Sequence, residues 1–300
     1  MSILINNNTR LLVQGITGKE GSRAATEMLK YGTAVVAGVT PGKGGQEVEG
    51  VPVYDSVREA MEEHEGINAS LVAVPAQFAR SATLEAIEAG IPLIDILTEK
   101  IPVADVAELI AHARKANVRL VGPSSVGIIA PAHTVKVGSI GSSEQVHSIF
   151  TPGNVGVVSK SGGMTAEISR VLSEAGFGQS TVVGIGGDML VGSDFVDIAA
   201  LFEADEETKV IVVFGELGGT YENALAQAIA QGKIRKPVVA LIAGVFAETL
   251  PQDTVLGHAG AIVSGNQESA RAKMDILSKA GAKVAGSVDE VPQLLQTTLS

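Results

Sequence analysis

No cysteine and no tryptophan occur in these 300 residues, and aromatic side chains make up 3% of them. The missing thiols exclude disulfides, thiolate metal sites, iron–sulfur ligation and a cysteine nucleophile within the chain. Positive charge is also scarce: 22 Lys and Arg against 33 Asp and Glu give a formal net charge of −11. That balance argues against general binding to nucleic acid or to an anionic membrane, although single lysines can still hold an anionic ligand. The first ten residues lack a basic stretch followed by a long apolar one, and no uncharged apolar run reaches spanning length. The expectation is a soluble, cytoplasmic protein with no membrane and no nucleic-acid partner. Histidine is rare too, with five in the chain, and one of them is set among residues with almost no side chain in Gly257-His258-Ala259-Gly260-Ala261.

Small and apolar residues are plentiful: 35 glycines, and 45% hydrophobic residues overall. A chain of this length and composition can bury two cores, and its small residues suit close packing of helices on sheets. Short Val/Ile/Leu runs predict strands over 10–14, 34–39, 70–75, 93–97 and 119–122, with helices between them over 21–31, 56–64, 79–89 and 103–117. "SIGSSEQVHSIFTPG", within 138–153, reads as an extended connection, and strands are expected again over 154–159, 181–185, 210–214, 238–242 and 283–285. Continuous apolar strands alternating with helices predict an α/β protein whose parallel sheets are covered on both faces. The domain boundary falls at about 140–150.

Several glycine turns follow strands. The first is Gly15-Ile16-Thr17-Gly18-Lys19-Glu20-Gly21, which opens a helix. Glycines let backbone approach a ligand there, and the free N–H groups of a helix start favour phosphate. The spacing is not that of the dinucleotide fingerprint, and a tight turn with no ligand accounts for it equally. The next strand ends in Thr40-Pro41-Gly42-Lys43-Gly44-Gly45, without the acid that would bond the ribose diol of NAD. Lys43 either meets an extra phosphate or is a solvated loop lysine. No G-x-x-x-x-G-K-[ST] sequence occurs, which argues against a P-loop ATPase.

In the second half, Ser159-Lys160-Ser161-Gly162-Gly163-Met164-Thr165 joins a strand to a helix. Its small residues and hydroxyls at a positive helix end form either an oxyanion or phosphoryl site or an ordinary N-cap. Gly184 to Asp188 and Gly215 to Gly219 belong at the carboxyl edge of the same sheet, where open α/β sheets bind ligands. Glu216 is thus a carboxylate on a strand tip, functional or merely exposed. His64, His112, His133 and His147 read as surface residues. His258 differs, because its neighbours leave the ring accessible, and an imidazole oriented by a carboxylate is a better nucleophile. No second histidine or cysteine stands at ligand spacing, so no metal site is expected.

The segments "LLVQGITGKEG", "VAGVTPGKGG", "VPVYDSVREA", "VAVPAQFA", "SKSGGMT", "VVGIGGD", "GELGG" and "GHAGAIVSGN", in this order, resemble the α subunit of succinyl-CoA synthetase among the NDP-forming acid–CoA ligases, over nearly the whole chain. The resemblance implies an N-terminal Rossmann-type CoA-binding domain over 1–140 and a flavodoxin-like ligase domain over 150–300. It implies the reaction of CoA, a dicarboxylate and a nucleoside triphosphate to acyl-CoA, nucleoside diphosphate and phosphate, a step of the tricarboxylic acid cycle. The path runs through a phosphohistidine and an acyl phosphate. His258 becomes the phosphoryl carrier and Glu216 its orienting carboxylate, with Ser159, Ser161, Gly162 and Gly163 at the helix end that holds the phosphohistidine. Thr17, Gly18, Lys19, Glu20, Lys43, Val74, Pro75, Ala76, Ile96, Thr98 and Glu99 match the CoA-contacting segments. ATP or GTP with Mg²⁺ is implied on an ATP-grasp β subunit, in a heterodimer or an α2β2 heterotetramer.

Three segments depart from the succinyl-CoA synthetase pattern. The usual "GPNCPG" stands as Gly122-Pro123-Ser124-Ser125-Val126-Gly127, "TAPKGKRMGHAGA" as "VFAETLPQDTVLGHAGA", and "SRSGTLTYE" as "SKSGGMTAE". These stretches resemble ATP citrate lyase instead. The acid is therefore open between succinate and a hydroxy-acid such as citrate or malate, the citrate case taking the form of a citryl-CoA synthetase small subunit. Two readings of other classes compete: a non-catalytic CoA-binding sensor, and an NAD(P)-dependent oxidoreductase that follows from the first glycine turn alone.

Overall fold

The computed structural model describes residues 2–141, 144–249, 257–263 and 265–299. It contains two seven-stranded sheets. The first is built from β1 (Arg10–Gln14), β2 (Ala34–Val39), β3 (Glu47–Val48), β4 (Val51–Tyr54), β5 (Ala69–Val72), β6 (Leu93–Ile96) and β7 (Arg119–Val121). The second comprises β8 (Gly127–Ala130), β9 (Val135–Val137), β10 (Pro152–Ser159), β11 (Gln179–Gly184), β12 (Val210–Glu216), β13 (Val238–Ala243) and β14 (Lys283–Ala285). Helices α1 (Lys19–Tyr31), α2 (Val57–Glu63), α3 (Ala76–Glu88) and α4 (Val103–Ala116) belong to the first half. They are followed by α5 (Val146–Ile149), α6 (Gly162–Glu174), α7 (Phe195–Ala204), α8 (Tyr221–Ala230), α9 (Ala270–Lys279) and α10 (Glu290–Leu299). No helix among the described residues is long and apolar enough to cross a membrane.

Alternation along β1 shows how the core divides. Leu11 and Val13 enter a cluster with Ala24, Ala25 and Met28 of α1, whereas Leu12 points the other way to Val57, Ala60, Ala79 and Leu109 of α2 to α4. Helices thus cover both faces, which is why these strands read as unbroken apolar runs rather than alternating ones. In the second sheet, Val155 and Val157 pack with Ile168, Leu172, Val291 and Leu295 of α6 and α10, and Val158 packs with Phe195 and Phe202 of α7. Local signals start and stop the helices: Asp194 and Asp197 form a capping box on α7, Ser56 caps α2, and α1 ends at Gly32 with φ 117°.

The first sheet runs β3-β4-β2-β1-β5-β6-β7 and the second β14-β13-β12-β10-β11-β8-β9. The chain reverses direction across the sheet between β1 and β5 in the first, a Rossmann-like order, and between β10 and β12 in the second, a flavodoxin-like order. Such switch points leave a crevice beyond the carboxyl ends of the strands. Both sheets are parallel except at one edge: β3 is antiparallel to β4, and β8 and β9 form an antiparallel pair on β11.

Some expectations shift. β5 ends at Val72 rather than 75, because Pro75 has no N–H for the ladder and instead precedes the first turn of α3. The stretch expected as an extended connection contains the four-residue α5, and residues 142–143 within it lie outside the described residues. β8 and β9 come before residue 140 in the chain yet pair into the second sheet, so hydrogen bonding crosses between the sheets at 122–127.

That crossing is held by a buried carboxyl. Ser125 Oγ has three neighbours: Asp95 Oδ1 of β6 at 2.6 Å, Gly184 O of β11 at 2.8 Å, and the Gly127 N–H, which donates to it at 2.9 Å. One hydroxyl hydrogen cannot serve two acceptors. The set closes when Asp95 is protonated and donates to Ser125 Oγ, whose own hydrogen goes to Gly184 O. Burial pushes the Asp95 carboxyl up to about 7, against the opposing effect of the Ser125 hydrogen bond. A carboxyl raised on folding contributes stability that is complete below its unfolded value near 4 and is lost as pH rises through about 7. At about 1.4 kcal/mol per pH unit, ionising it in place costs roughly 4 kcal/mol. Asp95→Asn, which keeps the shape and cannot ionise, should therefore melt higher than the parent protein at pH 8 and show no such advantage at pH 4. A melting-temperature difference that stays constant across that range would contradict the assignment.

Candidate functional site

The crevice of the second sheet is built from adjacent strand ends. β10 and β12 run parallel with Ser159 opposite Phe214, so Lys160 and Glu216 emerge side by side. Lys160 is anchored there by its N–H, which donates to Phe214 O at 3.2 Å. His258 arrives from a distant segment. Its Nδ1–H donates to Glu216 Oε2 at 2.6 Å, which leaves Nε2 as the nitrogen available for chemistry. The glycines explain how it fits. A Cβ on Gly187 would lie 2.7 Å from the His258 ring carbon Cγ, and the Gly260 N–H donates to Gly187 O at 3.0 Å. Gly218 holds φ 83°, and a Cβ on it would meet Gly260 O at 2.3 Å. The histidine segment is laid on bare backbone from two turns.

Charge behind the pair is dense and buried. Glu222 of α8 and Lys273 of α9 are fully buried, and Lys160 and Glu216 nearly so. Lys273 Nζ donates to Glu222 Oε2 at 2.5 Å, to Glu216 O at 2.8 Å and to Gly218 O at 2.5 Å. Glu222 Oε1 accepts the Glu216 N–H at 3.1 Å. Lys160 Nζ lies 3.4 Å from Glu222 Oε1 and 3.9 Å from Glu216 Oε1. The Glu216 hydrogen bond holds the His258 imidazole above its ordinary pKa, with burial and the Lys160 charge opposing. Across the ring, Asp188 is raised by burial, and its Oδ1 accepts from Ser124 Oγ at 2.9 Å.

At the start of α6, the two serines are occupied locally. Ser159 Oγ donates to Ser161 O at 2.9 Å and accepts the Ser161 N–H at 3.1 Å, while Ser161 Oγ caps the helix by accepting the Met164 N–H at 3.4 Å. Gly162 and Gly163 form the first turn of α6, and a Cβ on Gly163 would meet nothing within 4 Å.

The other candidate residues gather at the switch point of the first sheet. Gly15 has φ 82°, and a Cβ on Gly21 would lie 2.1 Å from Gly15 O, so this turn admits no side chain at either place. Thr17, Gly18, Lys19 and Glu20 surround the first turn of α1, with Glu20 paired to Arg23 at 2.7 Å. Thr17 Oγ1 is 3.1 Å from Thr40 Oγ1, which ties this turn to the loop holding Lys43. That loop is fixed by Asp55, whose Oδ1 accepts the Lys43 and Gly44 N–H groups at 2.9 Å each. Val74, Pro75 and Ala76 open α3, and Thr98 Oγ1 donates to Val74 O at 2.7 Å. Glu99 is exposed at the same edge. Ile96 is different: its side chain is core, 1% exposed, and only its backbone is at the edge, its O accepting from Ser125 N at 3.1 Å.

Residues 6–100 match the family model described as CoA binding domain, and residues 158–285 the one described as CoA-ligase. Succinate–CoA ligase (ADP-forming) subunit alpha 2 of Archaeoglobus fulgidus is 47% identical, with 100% of both chains covered. The chain belongs to the succinate–CoA ligase α-subunit family. The corresponding alpha subunit of Aquifex aeolicus is 48% identical over 95% of this chain and 90% of its own. An ADP-forming sulfoacetate-CoA ligase subunit of an Acholeplasma species is 41% identical, with 99% and 98% covered. Among solved structures, ATP citrate lyase of Methanosaeta concilii in complex with (3S)-citryl-CoA superposes with a TM-score of 0.91 at 28% identity. That match takes in 99% of this chain and 50% of the lyase chain, so the chain spans half the lyase's length. A dinucleotide-forming acetyl-coenzyme A synthetase of Korarchaeum cryptofilum, 19% identical with a TM-score of 0.72, shares the fold. As a member of this family the protein is an acid–thiol ligase component, with CoA as the ligand of its N-terminal half.

Within this succinate–CoA ligase framework, the sequence reading did not pick out Lys160, Asp188, Glu222 or Lys273 as site residues. One signal was available: Ala270, Lys273 and Leu277 share the buried face of α9, and a lysine on an apolar face needs a buried partner.

Proposed function

We propose that this chain is the α subunit of a ligase that joins a small dicarboxylic acid, succinate first, to CoA at the expense of a nucleoside triphosphate, using His258 as phosphoryl carrier. The carrying observation is the 2.6 Å hydrogen bond from His258 Nδ1 to Glu216 Oε2 at a sheet switch point. With its proton fixed on Nδ1, the ring presents the Nε2 lone pair. Nε2 attacks the γ-phosphorus, the bond to the leaving diphosphate breaks, and Glu216 stabilises the positive charge developing on the ring. A carboxylate oxygen of the acid then takes the phosphoryl group, breaking the N–P bond and giving an acyl phosphate. The CoA thiol, losing its proton, then attacks the acyl carbon; the C–S bond forms as the C–O bond to the phosphoryl group breaks, and inorganic phosphate leaves. The N-terminus of α6, with Gly162 and Gly163 exposing backbone N–H groups next to Ser159 and Ser161, stabilises the phosphoryl oxygens.

CoA is held at the first sheet by Thr17, Gly18, Lys19 and Glu20, by Lys43, and by the edges at Val74 to Ala76, Ile96, Thr98 and Glu99. The side-chain-free turn at Gly15 and Gly21 and the start of α1 fit a phosphate-rich ligand. ATP or GTP with Mg²⁺ is bound by an ATP-grasp β partner in a heterodimer or heterotetramer, and the complex works in the cytoplasm. The CoA-binding domain is residues 1–140 and the ligase domain 150–300, with β8 and β9 of the first segment lent to the sheet of the second.

A hydroxy-acid substrate is the second reading. It is supported by the likeness to ATP citrate lyase and by Ser124, which bonds Asp188 beside the histidine. Residues 250–256 of the divergent approach to His258 lie outside the described residues. The test is thioester formation by the complex co-purified with its partner, with ATP or GTP and succinate, malate, citrate or sulfoacetate. Nucleotide-dependent acyl-CoA is expected, greatest with succinate; greatest yield with citrate or malate would replace the acid but keep the mechanism. A complex that binds CoA and ligates none of these acids would be a sensor, and tighter binding of NAD than CoA would indicate a dehydrogenase.

A further inference from the structure

The two buried lysines behind His258 play different parts. Lys273 has three acceptors at 2.5–2.8 Å, so each of its hydrogens is used, and it clamps α8 and α9 to the end of β12. Among the described residues Lys160 has no such set. Its Nζ, on a side chain 2% exposed, stands 3.4 Å from Glu222 and 3.9 Å from Glu216, and 5.6 Å from the centre of the Tyr221 ring. The oxygen of Glu216 that faces it, Oε1, is buried without a hydrogen-bond partner among the described residues, while the other, Oε2, holds His258. Lys160 therefore delivers charge rather than a hydrogen bond, and delivers it to the carboxylate that orients the histidine.

Charges around the ring can be counted. Among the described residues, Glu216 at the end of β12 and Glu222 on α8 are balanced by Lys160 after β10 and Lys273 on α9, with Asp188 after β11 on the far side and Glu99 beyond it. Without Lys160 the buried cluster behind the ring carries one uncompensated negative charge. Among the described residues the group placed to neutralise it is the imidazole bonded to Glu216, by taking a proton on Nε2, and an imidazolium has no lone pair there.

We propose that Lys160 is a positioning residue for the Glu216–His258 pair, its buried charge keeping the ring in the neutral form that can accept a phosphoryl group. This rests on the phosphohistidine reading. The opposition of the Lys160 charge to the raised His258 value agrees in sign.

The experiment is the pH dependence of acid-labile ³²P incorporation from labelled nucleotide into the co-purified complex. Lys160→Met should move the acidic limb of the rate upward by about half to one pH unit, so the loss below the limb is roughly three- to tenfold greater than above it. Lys160→Arg, which keeps the charge, should restore the parent limb. Lys160→Met combined with Glu222→Gln removes the net imbalance, guards against failure to fold, and should show a smaller upward move than Lys160→Met alone, because the positive charge beside Glu216 Oε1 is still missing. An equal loss at every pH, or an unmoved limb in both Met variants, would overturn the proposal while leaving the carrier intact. If the parent complex takes up no acid-labile phosphate, it is the phosphohistidine reading that fails.

Discussion

His258→Ala is expected to abolish acid-labile phosphate on the chain and to lower nucleotide-dependent acyl-CoA formation on the order of 10⁴-fold or more, since the proposed route runs through the ring's Nε2. CoA affinity should not change, because the proposed CoA turn at Gly15 to Gly21 lies on the other sheet. Stability should change little, as the ring is about one-third exposed. Glu216→Gln gives the graded case. The amide can still accept from Nδ1–H but cannot stabilise the developing cation, so phosphorylation should slow by about 10²–10³-fold. The sign of its pH effect is opposite to that of losing Lys160. Glu216 is what raises the imidazole, so its neutral replacement should move the acidic limb down while the rate falls. Phosphate that survives in His258→Ala, or is stable to acid, would place the carrier elsewhere.

What the sequence could reveal of this site follows from how each residue is held. The glycine turns were legible because they sit where a strand's apolar run stops, and Gly15, Gly186, Gly218 and Gly219 indeed take positive φ values. Glu216 and His258 could be named because a strand tip and a glycine-flanked imidazole are local patterns. Lys160 stands in its motif with no locally legible role, since its significance depends on Glu222, 62 positions along the chain, reaching 3.4 Å of it. Asp95 interrupts the run Leu-Ile-Asp-Ile in β6, a visible sign of a buried acid, but its partners Ser125 and Gly184 come from other elements. β8 and β9 escaped notice for a similar reason. Each is three or four residues long, with Pro131 between them, and their place on β11 is decided by pairing across the fold rather than by local propensity.

Gly218→Ala tests whether the bare backbone under the histidine segment is what seats the ring. At φ 83° an alanine is strained by about 1–2 kcal/mol. Its Cβ would also lie 2.3 Å from Gly260 O and 2.6 Å from Ile262 N, both backbone atoms of the segment that carries His258. Neither can rotate away, so the segment must lift and the 2.6 Å contact with Glu216 must lengthen. Phosphorylation is expected to fall at least about 10²-fold, as for loss of the orienting carboxylate. Gly219→Ala separates strain from collision: Gly219 also has positive φ, 62°, but a Cβ there meets nothing within 4 Å. It should lose only what the strain costs, about 1–2 kcal/mol, and less than tenfold in rate. Melting temperatures and ³²P incorporation measured on both variants decide the matter. Equal activity losses at 218 and 219 would mean that backbone strain, and not the approach of the histidine segment, is what the glycine relieves.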